Sequence, residues 1–148
     1  MTYSPTVLER PASTAVARAT DFSLGAIEEA TVRLQSWAAI RGVAPAGVPF
    51  LRLVGDSTLV CLPTAARANP HPQTGVIATS IEPGDVAVVR GVSFGEVRRA
   101  VADVARELGL DESGLTAEFQ RGNDGFGTGS LLIPLGAGAR LPLAAAGG

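Results

Sequence analysis

Apolar and polar positions alternate from Val7 to Ala19, most clearly at Thr14-Ala15-Val16-Ala17-Arg18. Period-two alternation predicts a strand, with Pro11 as an edge residue or bend because proline has no amide for a ladder. The period then changes. Ile27, Ala30, Leu34, Trp37 and Ala38 recur at helical spacing, which predicts a helix from Leu24 to Arg41 that stops at Gly42. Phe50–Val54 and Thr58–Leu62 read as two strands joined by a Gly55-Asp56 turn. The stretch from Ala65 to Thr74 holds Asn69-Pro70-His71-Pro72-Gln73, which is linker chemistry. Val76–Ile81 and Asp85–Arg90 are strands around a Pro83-Gly84 turn. Ser93 with Glu96 three residues on predicts a capping box that opens a second helix. Val97, Val101, Val104 and Leu108 make its apolar face, and Gly109 ends it. Leu115–Gln120 and Gly129–Leu135 are the last strands, with Gly122–Thr128 between them as a mobile loop at the groove mouth.

The two halves of this pattern repeat. Ala15-Val16-Ala17-Arg18 followed by Asp21-Phe22 matches Ala87-Val88-Val89-Arg90 followed by Ser93-Phe94. Gly42-Val43 and Gly47-Val48 match Gly109-Leu110 and Gly114-Leu115, and this spacing sets Phe50 against Ala117 and Arg52 against Phe119. The expected fold class is therefore α+β. Two pseudo-symmetric strand–helix–strand–strand modules, at about 7–63 and 76–135, form curved antiparallel sheets with a ligand groove between them. Residues 1–135 are expected to make one domain, and 136–148 a flexible tail of Gly, Ala, Leu and Pro.

Composition narrows the partners. The 148 residues are 46% hydrophobic and 18% charged, ample for a core. The formal net charge of −2 argues against direct nucleic-acid binding, while the fact that all 12 basic residues are Arg reads as a coding bias rather than chemistry. One cysteine, Cys61, excludes an internal disulfide. Neither a secretory signal nor a membrane-spanning run is recognised, so a cytoplasmic location without membrane partners is expected, as a monomer or homodimer. No His/Cys cluster or Gly-Lys-Ser/Thr loop is present, so no metal or other cofactor is expected. The single histidine, His71, lies between prolines and supports no catalytic triad.

Several short motifs, taken in order, resemble one family. They are Gly47-Val48-Pro49-Phe50, Leu59-Val60-Cys61-Leu62-Pro63, Pro83-Gly84, Arg90-Gly91, Phe94, Glu118-Phe119 and Leu132-Ile133-Pro134-Leu135. In order and spacing the chain resembles the GyrI-like small-molecule-binding domain, also called the AraC-type effector-binding domain, in stand-alone form. The resemblance runs from about Val7 to Leu135. It implies a SOUL-like pair of modules around a groove for drugs or metabolites, and links to transcription regulation. It also implies a pocket carboxylate near the start of a late strand, the place Glu118 occupies.

Glu118 is the leading site candidate, because a carboxylate in an otherwise apolar strand either points to solvent or does chemistry in a groove. Trp37, Phe50 and Phe119 are candidate aromatic walls, each also readable as core. Arg52 and Arg90 are candidate anchors for an anionic group, each also readable as solvated. Three functions follow from these residues and the resemblance. The first is binding of a small, mainly apolar or cationic organic molecule, by a sensor, sequestering or resistance protein. The second is hydrolysis of a strained or reactive molecule such as a cyclopropane-type genotoxin, with Glu118 as the catalytic group. The third is a protein-interaction module such as a topoisomerase modulator.

Overall fold

The computed structural model describes residues 3–111, 114–123 and 125–136. The tail expected from 136 onward lies outside the described residues, apart from Gly136. Eight strands and two helices follow in the order β1 (Thr6–Arg10), β2 (Ser13–Thr20), α1 (Leu24–Arg41), β3 (Phe50–Val54), β4 (Ser57–Thr64), β5 (Val76–Ile81), β6 (Gly84–Ser93), α2 (Val97–Glu107), β7 (Thr116–Gly122) and β8 (Gly125–Pro134). Short 3-10 turns cover Pro72–Thr74 and Phe94–Glu96. All eight strands form one antiparallel sheet in the order β1-β6-β8-β7-β3-β4-β2-β5.

The strand predicted from Val7 to Ala19 is present, broken at Pro11-Ala12. Opposite the break lie Glu82 and Pro83. Arg10 faces Gly84 and Ser13 faces Ile81, so the paired strands keep one register through the interruption. Two prolines without amide hydrogens explain why the ladder opens here. The two strands part company on either side. β2 and β5 join one half-sheet with β3 and β4, while β1 and β6 join the other with β7 and β8. Each repeat thus lends its first strand to the other repeat's half-sheet. Pairing of β3 with β7 closes the seam.

One face of this sheet packs under the helices. Ile27, Leu34, Leu51, Val60, Val97, Val104, Phe119, Leu131 and Ile133 are buried together there. Both helices end as the repeat predicts. Gly42 and Gly109 each sit at a φ of 70°, and Val43 and Leu110 donate back to Ala38 and Ala105. Left-handed glycines of this kind satisfy the last helical carbonyls. Just before each helix stands the equivalent aromatic, Phe22 or Phe94. Their rings stack with centroids 4.5 Å apart, so the two repeats touch at matching positions.

Three local readings are corrected. Ser93 does not cap a backbone amide. Its hydroxyl lies 2.9 Å from Glu96 Oε1, where it holds the Glu96 carboxyl below its usual range, and a 3-10 turn precedes α2. The matching of the halves is out by one residue along the strands. Val16 faces the helices, whereas Val88, its partner in the repeat, faces away from them with Val86 and Leu132. A slip of one residue exchanges the two faces of a strand. The stretch 122–128 is mostly strand, because β7 and β8 extend into it from both sides. It also stands away from the main cavity.

Gly122 in that stretch and Gly129 just beyond it have a steric reason: a methyl group on Gly122 would strike the Thr128 carbonyl oxygen. A methyl group on Gly129 would strike the Gln120 carbonyl oxygen and lie 3.1 Å from the Phe119 ring. Gly129→Ala is therefore expected to destabilise the fold by about 2–3 kcal/mol through overpacking, read as a lower urea midpoint at unchanged slope.

Candidate functional site

On the sheet face away from the helices, β3 and β7 run side by side and set Arg52 directly across from Glu118. Leu59 of β4 and Leu132 of β8 flank this pair in the same row. Strand alternation thus aims two ionised side chains into the concave, mainly apolar face. Glu118 is only 2% exposed and Arg52 only 9%.

Each is met by the far edge of its own half-sheet. Arg10, on β1, reaches over three strand positions to Glu118 on β7. Its Nη1 and Nη2 donate to Oε1 and Oε2 at 2.7 and 2.9 Å, a bidentate pair. Its Nε donates to the Glu82 carbonyl at 2.9 Å. On the other side Arg52, on β3, reaches across to β5. It donates to Thr79 Oγ1 at 2.8 Å and to the Ser80 carbonyl at 3.0 Å. The two half-sheets curl enough for edge and seam to be bridged by single side chains. A cavity of about 790 Å³ opens between these two clamps. Thr79, Val54, Leu115 and Leu135 contribute to its walls, and the exposed Glu82, Asp85, Asp111 and Arg67 to its rim. That volume suits a drug-sized molecule.

Of the six residues singled out from the sequence, Glu118 and Arg52 come together in this cavity. Phe50 is buried on the same face beside Ala15, Ala17 and Cys61, and the Arg52 guanidinium stands 5.8 Å from its ring centroid. Phe119 points the other way, into the core under the helices. Trp37 packs against that core from α1, and its buried Nε1 has no hydrogen-bond partner among the described residues. Arg90 is exposed on β6, where it borders a separate depression with Tyr3 and Glu96. His71 caps the 3-10 turn, its Nδ1 accepting from the Gln73 amide at 3.2 Å. Cys61 is fully buried, and burial pushes its thiol up to about 12, so it stays protonated and unreactive.

Sequence reasoning missed Arg10, Thr79 and Ser80. A usable signal existed for Arg10, since a carboxylate buried in an apolar strand needs a cation. The twelve arginines left the choice open.

No protein-family model matches the chain, and no curated protein does. Solved structures do. The chain is similar to EcmrR in its DNA complex within EcmrR-RPo, with a TM-score of 0.66 at 13% identity over 88% of this chain. It spans little more than half of that protein, 56% of its length. It is also similar to the EcmrR C-terminal domain, with a TM-score of 0.61 at 14% identity, covering 90% of this chain and 96% of that one. A hydrolase from Listeria innocua follows, with a TM-score of 0.53 at 11% identity over 90% and 92% of the two chains. At such identities the likeness is one of fold, and the α+β architecture around a curved antiparallel sheet is shared. Among the described residues no helix is long and apolar enough to cross a membrane, and no cluster of three metal-ligating side chains occurs.

Proposed function

We propose that this chain is a GyrI-like effector-binding domain that takes up a small organic molecule in the cavity between its two half-sheets. The cavity itself carries this reading. It is large, its walls mix apolar side chains such as Val54, Leu115 and Leu135 with polar ones, and the buried Arg52 and Glu118 converge on its floor. The fold shared with the EcmrR C-terminal domain supports it. Binding is favoured over hydrolysis because both oxygens of Glu118 accept from Arg10, so the carboxylate is engaged rather than held free as a base. A role as a sensor or as a sequestering protein fits the same geometry. Direct contact with nucleic acid is not part of this reading.

A thermal-shift screen of metabolites and drugs tests it. A ligand at about one hundred times its Kd should add about 2.7 kcal/mol, a rise in Tm of roughly 5–10 °C. Thr116→Trp places a large ring in the cavity and should abolish that rise. An absence of hits, or hits indifferent to Thr116→Trp, would sink the proposal.

A further inference from the structure

The charges on the cavity floor are unevenly matched, and this deepens the binding reading on which it rests. Three ionised side chains line the floor: Arg10, Arg52 and Glu118. The charge of the one carboxylate is already matched. Each of its oxygens accepts from a different nitrogen of Arg10, and at 2.7 and 2.9 Å no better partner geometry is open to a ligand cation. Arg10 is also held at Nε by the Glu82 carbonyl, so all three nitrogens of its guanidinium are engaged. Arg52 is in the opposite position. Its partners are a hydroxyl and a backbone carbonyl, both neutral, and no carboxylate among the described residues lies within ion-pair distance of it. A guanidinium has five N–H donors, and the bonds to Thr79 and Ser80 use two. The acidic groups nearby, Glu82, Asp85 and Asp111, are exposed at the rim, where water and salt screen them, as they do Arg67.

We propose that Arg10 occupies the place a ligand cation would take at Glu118, and that the groove consequently selects an organic anion whose planar carboxylate seats on Arg52. Arg10 is then the specificity-determining residue. A cationic ligand must break two short hydrogen bonds and expel a tethered competitor. An aryl or alkyl carboxylate displaces nothing charged and lays its apolar body along Val54, Leu115 and Leu135.

Two probes of the same shape and opposite charge test this, 2-naphthoate and 2-naphthamidinium, by titration calorimetry. The native protein should bind the carboxylate at least about tenfold more tightly than the amidinium, the scale of one charge-assisted contact. Arg10→Ala should reverse the order by exposing the Glu118 carboxylate. Arg52→Gln should weaken the carboxylate by about tenfold or more without admitting the amidinium. Should Arg10→Ala fail to fold, Arg10→Ala/Glu118→Gln removes both charges together. It should keep carboxylate binding within about threefold and gain none for the amidinium. A native preference for the amidinium, an order unchanged by Arg10→Ala, or carboxylate binding lost in the folded double variant would each overturn the inference. With binding still blocked by Thr116→Trp, those results would leave the groove reading standing. If neither probe binds to the native protein or any variant, the inference falls, and the thermal-shift screen alone decides the groove reading.

Discussion

Replacing Arg10 by Ala is expected to lower the stability of this protein by about 3 kcal/mol, clearly more than Glu118→Gln does. The reason is an asymmetry in burial. Glu118 is 2% exposed and fixed on the cavity floor, so without its partner it gains only the water that enters the cavity, whereas Arg10 is 16% exposed and can turn outward on its long stem. Removing the arginine strands a carboxylate. Removing the carboxylate frees an arginine that solvent can accept. Arg10→Met/Glu118→Met should recover most of the loss, since replacing both members of a buried pair by apolar groups is often close to neutral. Urea unfolding of Arg10→Ala, Glu118→Gln and Arg10→Ala/Glu118→Gln closes the cycle, with Arg10→Met/Glu118→Met measured beside it. Equal losses from the two single variants would show that burial does not control the cost, and a double variant as unstable as Arg10→Ala would show that the pair is not the unit.

Phe119→Ala should cost about 4 kcal/mol. Phe119 is fully buried, pairs across the sheet with Leu51 on one side and Leu131 on the other, and stands over the gap left by Gly129. Truncation leaves a ring-sized hole between the sheet and the helices, beside neighbours that strand pairing holds in place, so little collapse is expected. Because the side chain points away from the cavity, a ligand that still binds the folded variant should bind it with near-native affinity. A loss below about 1 kcal/mol would mean that this region repacks freely. Adding Gly129→Ala should cost close to the sum of the two effects, because the methyl group's hardest contact is the Gln120 carbonyl oxygen, which loss of the ring leaves in place.

The helices and most strand limits were legible because local chemistry sets them. The predicted span of α1 from Leu24 to Arg41 and that of β3 from Phe50 to Val54 match the structure. Both follow from periodicity and from glycines at their ends. The repeat was legible for the same reason, but its register was not. Ala and Val serve equally well on either face of these strands, so composition could not distinguish Ala15-Val16-Ala17 from a copy displaced by one position. β6 adds a further obstacle, since its register against β8 shifts between Val89 and Val92, where Gly91 adopts a φ of 71°. The site was half legible. Glu118 and Arg52 stand out as charges in apolar strands. Arg10 sits 108 residues from Glu118 and meets it only because the sheet curls, which no local pattern encodes. Gly122 and Gly129 misled because a close backbone approach and a flexible loop call for the same residue.

The exchange of β1 and β5 between the repeats bears on how this chain comes apart. Neither half owns a complete sheet. A fragment ending after β4 would lack the strand that covers β2, and one starting at β6 would lack the strand that covers that edge. The halves are therefore one cooperative unit. Heat or denaturant should melt them in a single transition, and amide exchange in β2 and β6 should report the same global opening although they lie in different half-sheets.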